Sequence, residues 1–390
     1  MKVLQINSVY GFGSTGKIVG SIHDYLLNHD VDSYVIYSRK EANSVNMKNT
    51  FRFYSGIGTA MHAFLALLFD THGLHSKYNT KKIIAKIDEI DPDIVHLHNI
   101  HGFYLNYPML FEYLKNKNKK VVWTLHDCWS YTGYCAYYDY NECYNWKENR
   151  CQKCKYRNNY PYRFIISNSK RNISIKEKCY KDLDVTLVTP SQWLSNELDS
   201  SILKDKKHLV INNSVNLDSF YYEKNDLRNK YNLHNKTVVL AVANYWTNPK
   251  GYLEYLKLAK ILDSNQQLVM IGLNDKQLNS LPKNIMGFKR MNIDELRAWY
   301  SCADVLLNLT LEDNYPTVNI EAKACGLPII TYRTGGSTEM VGTNGYVVDR
   351  YDLQTIKAII DKNDFVRKIE ILDNRMNENY LALYNKLYEE

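Results

Sequence analysis

The sequence predicts an α/β chain of two doubly wound, Rossmann-like parallel-sheet domains facing across a cleft. Three observations carry that reading. Apolar strand segments alternate with helical segments through both halves, and such alternation gives a parallel sheet with helices on both faces. At 390 residues the chain exceeds one ordinary hydrophobic core and fits two domains. Its 45% apolar and 23% charged content lies close to globular averages, so disorder is not expected.

In the first half, strands are expected at Lys2 to Ser8, Ser33 to Ser38, Ile94 to Leu97 and Lys120 to Leu125. Helices are expected at Gly16 to Leu27, near Tyr107 to Lys115, and at Lys81 to Ile90, where Asp91-Pro92 stops the pattern. The second half repeats the scheme, with strands at Thr237 to Ala243, Gln267 to Ile271, Val305 to Asn308 and Leu327 to Thr331. Its helices are expected at Tyr252 to Leu262 and Asp294 to Cys302. The join falls near Leu209 to Asn216, an apolar strand leading into a polar turn, which divides the chain into 1–212 and 213–365. Charged amphipathic helices follow about residue 353. Ligands on doubly wound sheets sit beyond the C-terminal ends of the strands.

The net charge of +7 comes from scattered basic residues. It favours diphosphates or acidic membrane surfaces as partners only weakly, and most of these lysines read as solvated surface; nucleic acid is not an expected partner. Met1 to Asn7 is too short an apolar run for a secretory signal and reads as the first strand. No span approaches the roughly 20 apolar residues of a transmembrane helix. The most apolar helical patch, Ile57 to Phe69, reads first as a packed helix and second as a membrane-surface contact. The expected location is therefore cytoplasmic, at most peripheral on the inner face of the plasma membrane.

Of the eight cysteines, Cys135, Cys143, Cys151 and Cys154 crowd into one segment of an insertion at about 128–160. In a reducing compartment such clustering points to a structural zinc, although the first spacing is long; the alternative is a packed cluster of reduced thiols. Cys128, Cys179, Cys302 and Cys325 read as ordinary buried cysteines.

The segment Asp313-Asn314-Tyr315-Pro316-Thr317-Val318-Asn319-Ile320-Glu321 sets carboxylates at both ends of a loop that turns into a helix. A helix N-terminus offers unpaired N–H groups and a positive dipole end, which suits phosphate. Carboxylates beside it accept hydrogen bonds from sugar or ribose hydroxyls. Together they describe a pocket for a molecule that carries both phosphate and polyol, a nucleotide sugar. Asn248-Pro249-Lys250-Gly251, between a strand and a helix, offers a compact cation that can meet a β-phosphate as its bond breaks. Gly335 to Glu339 forms a further strand-to-helix turn suited to lining the same pocket.

Gly11-Phe12-Gly13-Ser14-Thr15-Gly16-Lys17 follows the first strand and fits three templates. As a dinucleotide fingerprint it lacks an acidic residue ending the second strand, where Ser38-Arg39-Lys40 stand, although Arg39 leaves an NADP-dependent oxidoreductase as the alternative enzyme. As a Walker loop it places Ile18 where a metal-binding hydroxyl belongs. The third template is a glycine turn whose backbone closely approaches a diphosphate or an acceptor. His126 and Asp127 end an apolar strand, where an imidazole can bond a sugar hydroxyl; His98 and His101, at the end of another strand, read as acceptor-side.

These pieces, in this order, resemble glycosyltransferase family 4, and the resemblance covers nearly the whole chain. It rests on the Gly11 to Gly16 turn, His126-Asp127, Thr189-Pro190-Ser191-Gln192-Trp193, Lys250-Gly251, the 313–321 motif and Gly335 to Glu339. His96 to Asn106 and the cysteine segment after Trp129 are similar to the subgroup that works on bacterial surface polysaccharides. The resemblance implies a GT-B fold, with an acceptor domain, a nucleotide-sugar domain, and a 366–390 helix packing back on the first. It also implies metal-independent transfer, with retention, of a hexose-type sugar from a UDP- or GDP-sugar to a glycan or lipid-linked glycan. Glu321 would hold the ribose, and Asp313 with the backbone of Asn314 to Thr317 would hold sugar and phosphate. Gly13, Ser14, Thr15 and Gly16 would also meet the donor, Lys250 would neutralise the diphosphate, and His126 would contact the reacting sugar. Two departures stand out. Asp313 occupies a place where most members carry Glu, with Glu312 one residue off, so either can take the sugar. Tyr245 stands where most members carry an Arg. Both departures also suit a non-catalytic sugar-nucleotide-binding protein.

Overall fold

The structure, a computed structural model, describes every residue except 40–44, 149–150, 153, 158–159, 165 and 371, and the side chain of Glu148. Lys40, invoked above at the end of the second strand, lies outside the described residues. The chain divides into two compact units, Met1–Asn213 with Arg375–Glu390, and Ser214–Asn374.

The first unit holds β1 (Lys2–Ile6), β2 (Asp32–Tyr37), β3 (Thr50–Arg52), β4 (Ile94–Leu97), β5 (Lys120–Thr124), β6 (Val185–Thr189) and β7 (His208–Val210). Their order is β3-β2-β1-β4-β5-β6-β7, with every pairing parallel. Strand side chains alternate between faces. Val3, Ile94, Val122 and Val188 meet one helical layer, Gly13–Leu27 and the terminal helix Met376–Glu389, through Ile18, Ile22, Met376 and Tyr380. Leu4, Val95, Val121 and Leu187 turn the other way, to the helices Lys77–Ile90 and Tyr107–Asn116 and a large aromatic cluster. The terminal helix also bonds into the sheet: Tyr384 Oη lies 2.6 Å from His96 Nδ1, and Tyr380 Oη lies 2.8 Å from Thr124 Oγ1.

The second unit holds β8 (Thr237–Val242), β9 (Gln266–Ile271), β10 (Ile285–Phe288), β11 (Val305–Asn308), β12 (Ile329–Tyr332) and β13 (Tyr346–Val348), in the order β10-β9-β8-β11-β12-β13, again all parallel. In each sheet the strand order reverses once, between β1 and β4 and between β8 and β11. The crevice beyond the strand ends at such a reversal is where doubly wound sheets take ligands.

The helix Gly56–Phe69 corrects one expectation. Only His62 and Ala66 are fully buried on it, and Ile57, Met61 and Phe64 stand exposed, so it is not a packed core helix.

Among the imidazoles that the first unit buries are six, His23, His62, His72, His96, His98 and His126, whose titration burial shifts. Burial lowers all six below the usual range, to about 3 for His62 and about 4 for His72 and His126. Such groups bind protons more readily unfolded than folded, so the stability they allow is present above about pH 6.5 and is lost as pH falls toward the folded values. Asp70 acts oppositely, since burial raises its carboxyl to about 6, but it is one group against six. The urea midpoint of unfolding is therefore expected to fall steeply between about pH 6.5 and pH 4. A flat midpoint over that interval would show that these imidazoles titrate normally in the folded chain.

Candidate functional site

In the second unit the candidate residues lie beyond the ends of β8 and β11, at the reversal. Gly251 has φ +78°, and a Cβ there would stand 2.2 Å from the Leu309 carbonyl oxygen, so only glycine lets the two loops meet. Three hydrogen bonds clamp the meeting. Leu311 N–H donates to Pro249 O at 2.7 Å. The buried Tyr255 hydroxyl donates to Leu307 O at 2.7 Å and accepts from Leu309 N–H at 2.9 Å. Lys250 Nζ is thereby set 2.6 Å from Asp313 Oδ2. Burial alone would depress the ammonium; the Asp313 charge and hydrogen bond, with Glu312 nearby, outweigh it and hold the lysine above its ordinary value. Of the two adjacent acids, it is Asp313 whose carboxylate pairs with the lysine.

The loop continues through Asn314 and Pro316, both buried, and half-buried Tyr315 into the helix Thr317–Ala324. That helix has no capping side chain and no acid in its first turn, so the positive end of its dipole is not offset there. One turn in, Glu321 Oε2 accepts a 2.8 Å hydrogen bond from Tyr300 Oη. Tyr300 is wholly buried, and burial with the neighbouring carboxylate pushes its hydroxyl far above the usual range, so it remains a donor. A second buried link joins three elements. Asn308 Nδ2, at the end of β11, donates to Asn319 Oδ1 at 2.8 Å, and Asn319 Nδ2 donates to Ser337 O at 3.3 Å. This ties the helix to the Gly335–Met340 turn. Sequence reasoning missed Tyr300, Asn308 and Asn319. An asparagine closing the apolar run Val305-Leu306-Leu307 was a usable signal; Tyr300, one of 33 tyrosines, offered none.

In the first unit the glycine turn follows β1. Gly11 and Gly13 have φ +64° and +67°, Gly11 N–H donates to Gly16 O at 2.8 Å, and the helix begins at Gly13 without a capping side chain. Ser14 is exposed, Thr15 half-buried and Gly16 buried. The turn is tied to the loop after β4, because Asn99 N–H donates to Asn7 Oδ1 at 3.2 Å.

From that loop and from the end of β5 a line of polar side chains assembles. Gln5 Nε2 donates to Val19 O at 3.2 Å, leaving Gln5 Oε1 to accept from His98 Nε2–H at 3.2 Å. His98 is neutral because of its burial, so its Nδ1 is a lone pair and accepts from His126 Nε2–H at 2.9 Å. His126, also neutral, therefore carries its remaining lone pair on Nδ1, suited to accept from a hydroxyl. Beside it, His101 Nε2 lies 2.9 Å from Asp127 Oδ2, and Trp129 N–H donates to Asp127 Oδ1 at 2.9 Å. Burial would raise the Asp127 carboxyl, but His101 and these hydrogen bonds hold it below the usual range.

Cys135, Cys143, Cys151 and Cys154 line one cavity of about 20 Å³, with Tyr134 and Trp146. Gly133 N–H donates to Cys151 Sγ at 3.2 Å, and the Cys154 thiol donates to Tyr156 O at 3.6 Å. Among the described residues, no group of three or more His, Cys, Asp or Glu side chains stands where it could hold a metal ion. The structural zinc expected at these four cysteines thus gains their proximity but no ligand geometry.

Two sets result, each within its own unit. The second unit combines a cation, an open helix N-terminus and an oriented carboxylate, which together can bind phosphate and polyol. The first combines the neutral imidazoles of His98 and His126 with the Asp127 carboxylate, groups suited to hydroxyls.

Residues 19–219 match the family model described as Glycosyltransferase Family 4, and residues 223–380 match that of glycosyl transferases group 1. The chain is 25% identical over 374 residues to the putative colanic acid biosynthesis glycosyl transferase WcaC of Escherichia coli K12, covering 88% of this chain and 86% of that protein. Among solved structures, sucrose-phosphate synthase from Thermosynechococcus elongatus is similar with a TM-score of 0.71 at 14% identity, over 100% of this chain and 99% of that one. HepE of Anabaena in complex with UDP is similar with a TM-score of 0.63 at 14% identity, over 100% of this chain and 96% of that one. At such identities the solved structures speak to fold alone. The chain belongs to glycosyltransferase family 4, and its two parallel-sheet units are those of a GT-B fold.

Proposed function

We propose that the chain transfers a hexose-type sugar, with retention, from a UDP- or GDP-sugar to a glycan or lipid-linked glycan during assembly of a surface polysaccharide. The observation that carries the reading is the Lys250–Asp313 pair, set beside a helix that carries Glu321 one turn in. Lys250 meets the diphosphate and stabilises its charge as the bond to the sugar breaks. Asp313, held by Lys250, orients the sugar, and Glu321, held by Tyr300, takes the ribose hydroxyls. His126 accepts a hydrogen bond from a sugar hydroxyl through Nδ1. His98, His101 and Asp127 serve the acceptor side, and no step calls for a metal. Support for the polysaccharide context comes from WcaC, named for colanic acid biosynthesis, and support for the donor from the UDP and UDP-glucose complexes of HepE.

Thermal-shift screening against UDP- and GDP-sugars, with NADPH as control, tests the donor. One sugar nucleotide should stabilise the chain, and nucleotide release should then depend on acceptor. Lys250→Ala should lower turnover by roughly 10²-fold, comparable to losing one preorganised electrostatic contact. A loss of less than about threefold in a folded variant would remove Lys250 from the chemistry. Tyr300→Phe keeps the ring but frees the Glu321 carboxylate. By the worth of a hydrogen bond to a charged group, it should raise the donor KM about tenfold or more while changing kcat much less. An unchanged KM would separate Glu321 from donor binding.

A further inference from the structure

The helix Gly56–Phe69 contains no charged residue, and its outward face carries Ile57, Met61 and Phe64 at one-face helical spacing, 86%, 55% and 55% exposed. A second segment lies along it: Phe164 N–H donates to Leu67 O at 2.8 Å, and Asn168 Nδ2 donates to Phe69 O at 2.7 Å. That segment exposes Tyr162, Phe164 and Ile166, and its Tyr160 ring lies 6.1 Å from the ring of His101. Segments 54–69 and 160–166 hold nine of the 22 exposed large hydrophobic side chains among the described residues, so apolar exposure is concentrated here. An apolar concentration of this kind marks an interaction surface.

Charge says what the surface meets. Between residues 45 and 87 the only acid is Asp70, which is wholly buried and accepts from Asn168 N–H. Between residues 151 and 176 there is no acid at all. The same stretches expose Lys48, Arg52, Lys77, Lys81, Lys82, Lys155, Arg157, Lys170 and Arg171. Arg52 lies over the Tyr54 ring and Lys82 over the Tyr78 ring, which holds cations beside aromatics. Fourteen residues give a helix of about 21 Å, too short for a hydrocarbon core of about 30 Å. Such a helix can lie in an interface, with its apolar face in the acyl boundary and its flanking cations at the headgroups.

We infer that this face of the first unit docks on an anionic bilayer surface, laying Ile57, Met61, Phe64 and Phe164 into it beside the His101–Asp127 side of the unit. The inference goes beyond the proposed transfer reaction, and its test needs neither donor nor acceptor.

Full-length chain should sediment with phosphatidylglycerol/phosphatidylcholine vesicles about tenfold or more better than with phosphatidylcholine alone, and added salt should weaken that binding. The Ile57→Asp/Phe64→Asp variant should lose vesicle binding by about tenfold or more while keeping the wild-type thermal midpoint. Should that variant fail to fold, Lys81→Glu/Lys82→Glu, at two exposed positions, should still weaken binding to the anionic vesicles alone. The inference fails if wild type stays in the supernatant with both vesicles, or if folded Ile57→Asp/Phe64→Asp sediments as wild type does. It fails equally if light scattering shows a dimer that the same variant splits, because the patch then belongs to a second copy of the chain.

Discussion

The contact of Gly251 with the Leu309 carbonyl comes before everything else in the second unit's site. A side chain at residue 251 would drive the loop after β8 away from the loop after β11, and φ of +78° would strain any other residue. With glycine there, backbone bonds from Leu311 to Pro249 and through Tyr255 lock the two loops together. Lys250 and Asp313 then meet without either side chain having to search for the other. The pair is partly exposed, 34% and 16% for the two side chains, and such pairs contribute about 0–1 kcal/mol to stability. Holding charge in one place is what the arrangement achieves, more than holding the fold.

The first unit solves a different problem with different chemistry. Its strand ends bury imidazoles in a line running from Gln5 through His98 to His126, and burial keeps the rings neutral. A neutral imidazole held in one tautomer presents a defined acceptor, which discriminates hydroxyl geometry where a cation would attract any anion. The adjoining line from Thr124 through His96 to Tyr384 runs into the terminal helix, so that helix completes the polar core of the first sheet.

Periodicity carried the parts of the fold with strong apolar runs. The strands Ile94–Leu97 and Val305–Asn308 stand where their sequence places them, because fully buried strands leave a continuous apolar trace. The three-residue strands β3 and β13 escaped notice, being too short to show any period, and β6 and β10 escaped with them. The helix expected from Lys81 starts at Lys77, since its first turn is polar and opens on Ser76 in a left-handed conformation without a side-chain cap. That His126 lies just past β5 and Lys250 in the loop after β8 could be read, because topology sends such loops to the crevice. The supporting side chains could not. Tyr300 reaches Glu321 only through tertiary packing. The outward face of Gly56–Phe69 misled for a related reason: an apolar helix looks the same in sequence whether protein or another medium covers it.

By the resemblance, Tyr245 stands where most members of the family carry an arginine. Tyr245 is 68% exposed and close enough to Lys250 to bear on its charge, but a phenol donates one hydrogen bond and compensates no charge. Arg333 pairs at the surface with Asp349. A further positive contribution at the motif is the dipole of Thr317–Ala324, worth about 0.3–1 kcal/mol in ordinary surroundings. An ammonium directs three donors, and the Asp313 bond uses one of them. Two are then directed elsewhere, enough to meet oxygens of a diphosphate while the carboxylate keeps the lysine in place. Pairing with Asp313 therefore orients Lys250 without consuming all of its donors.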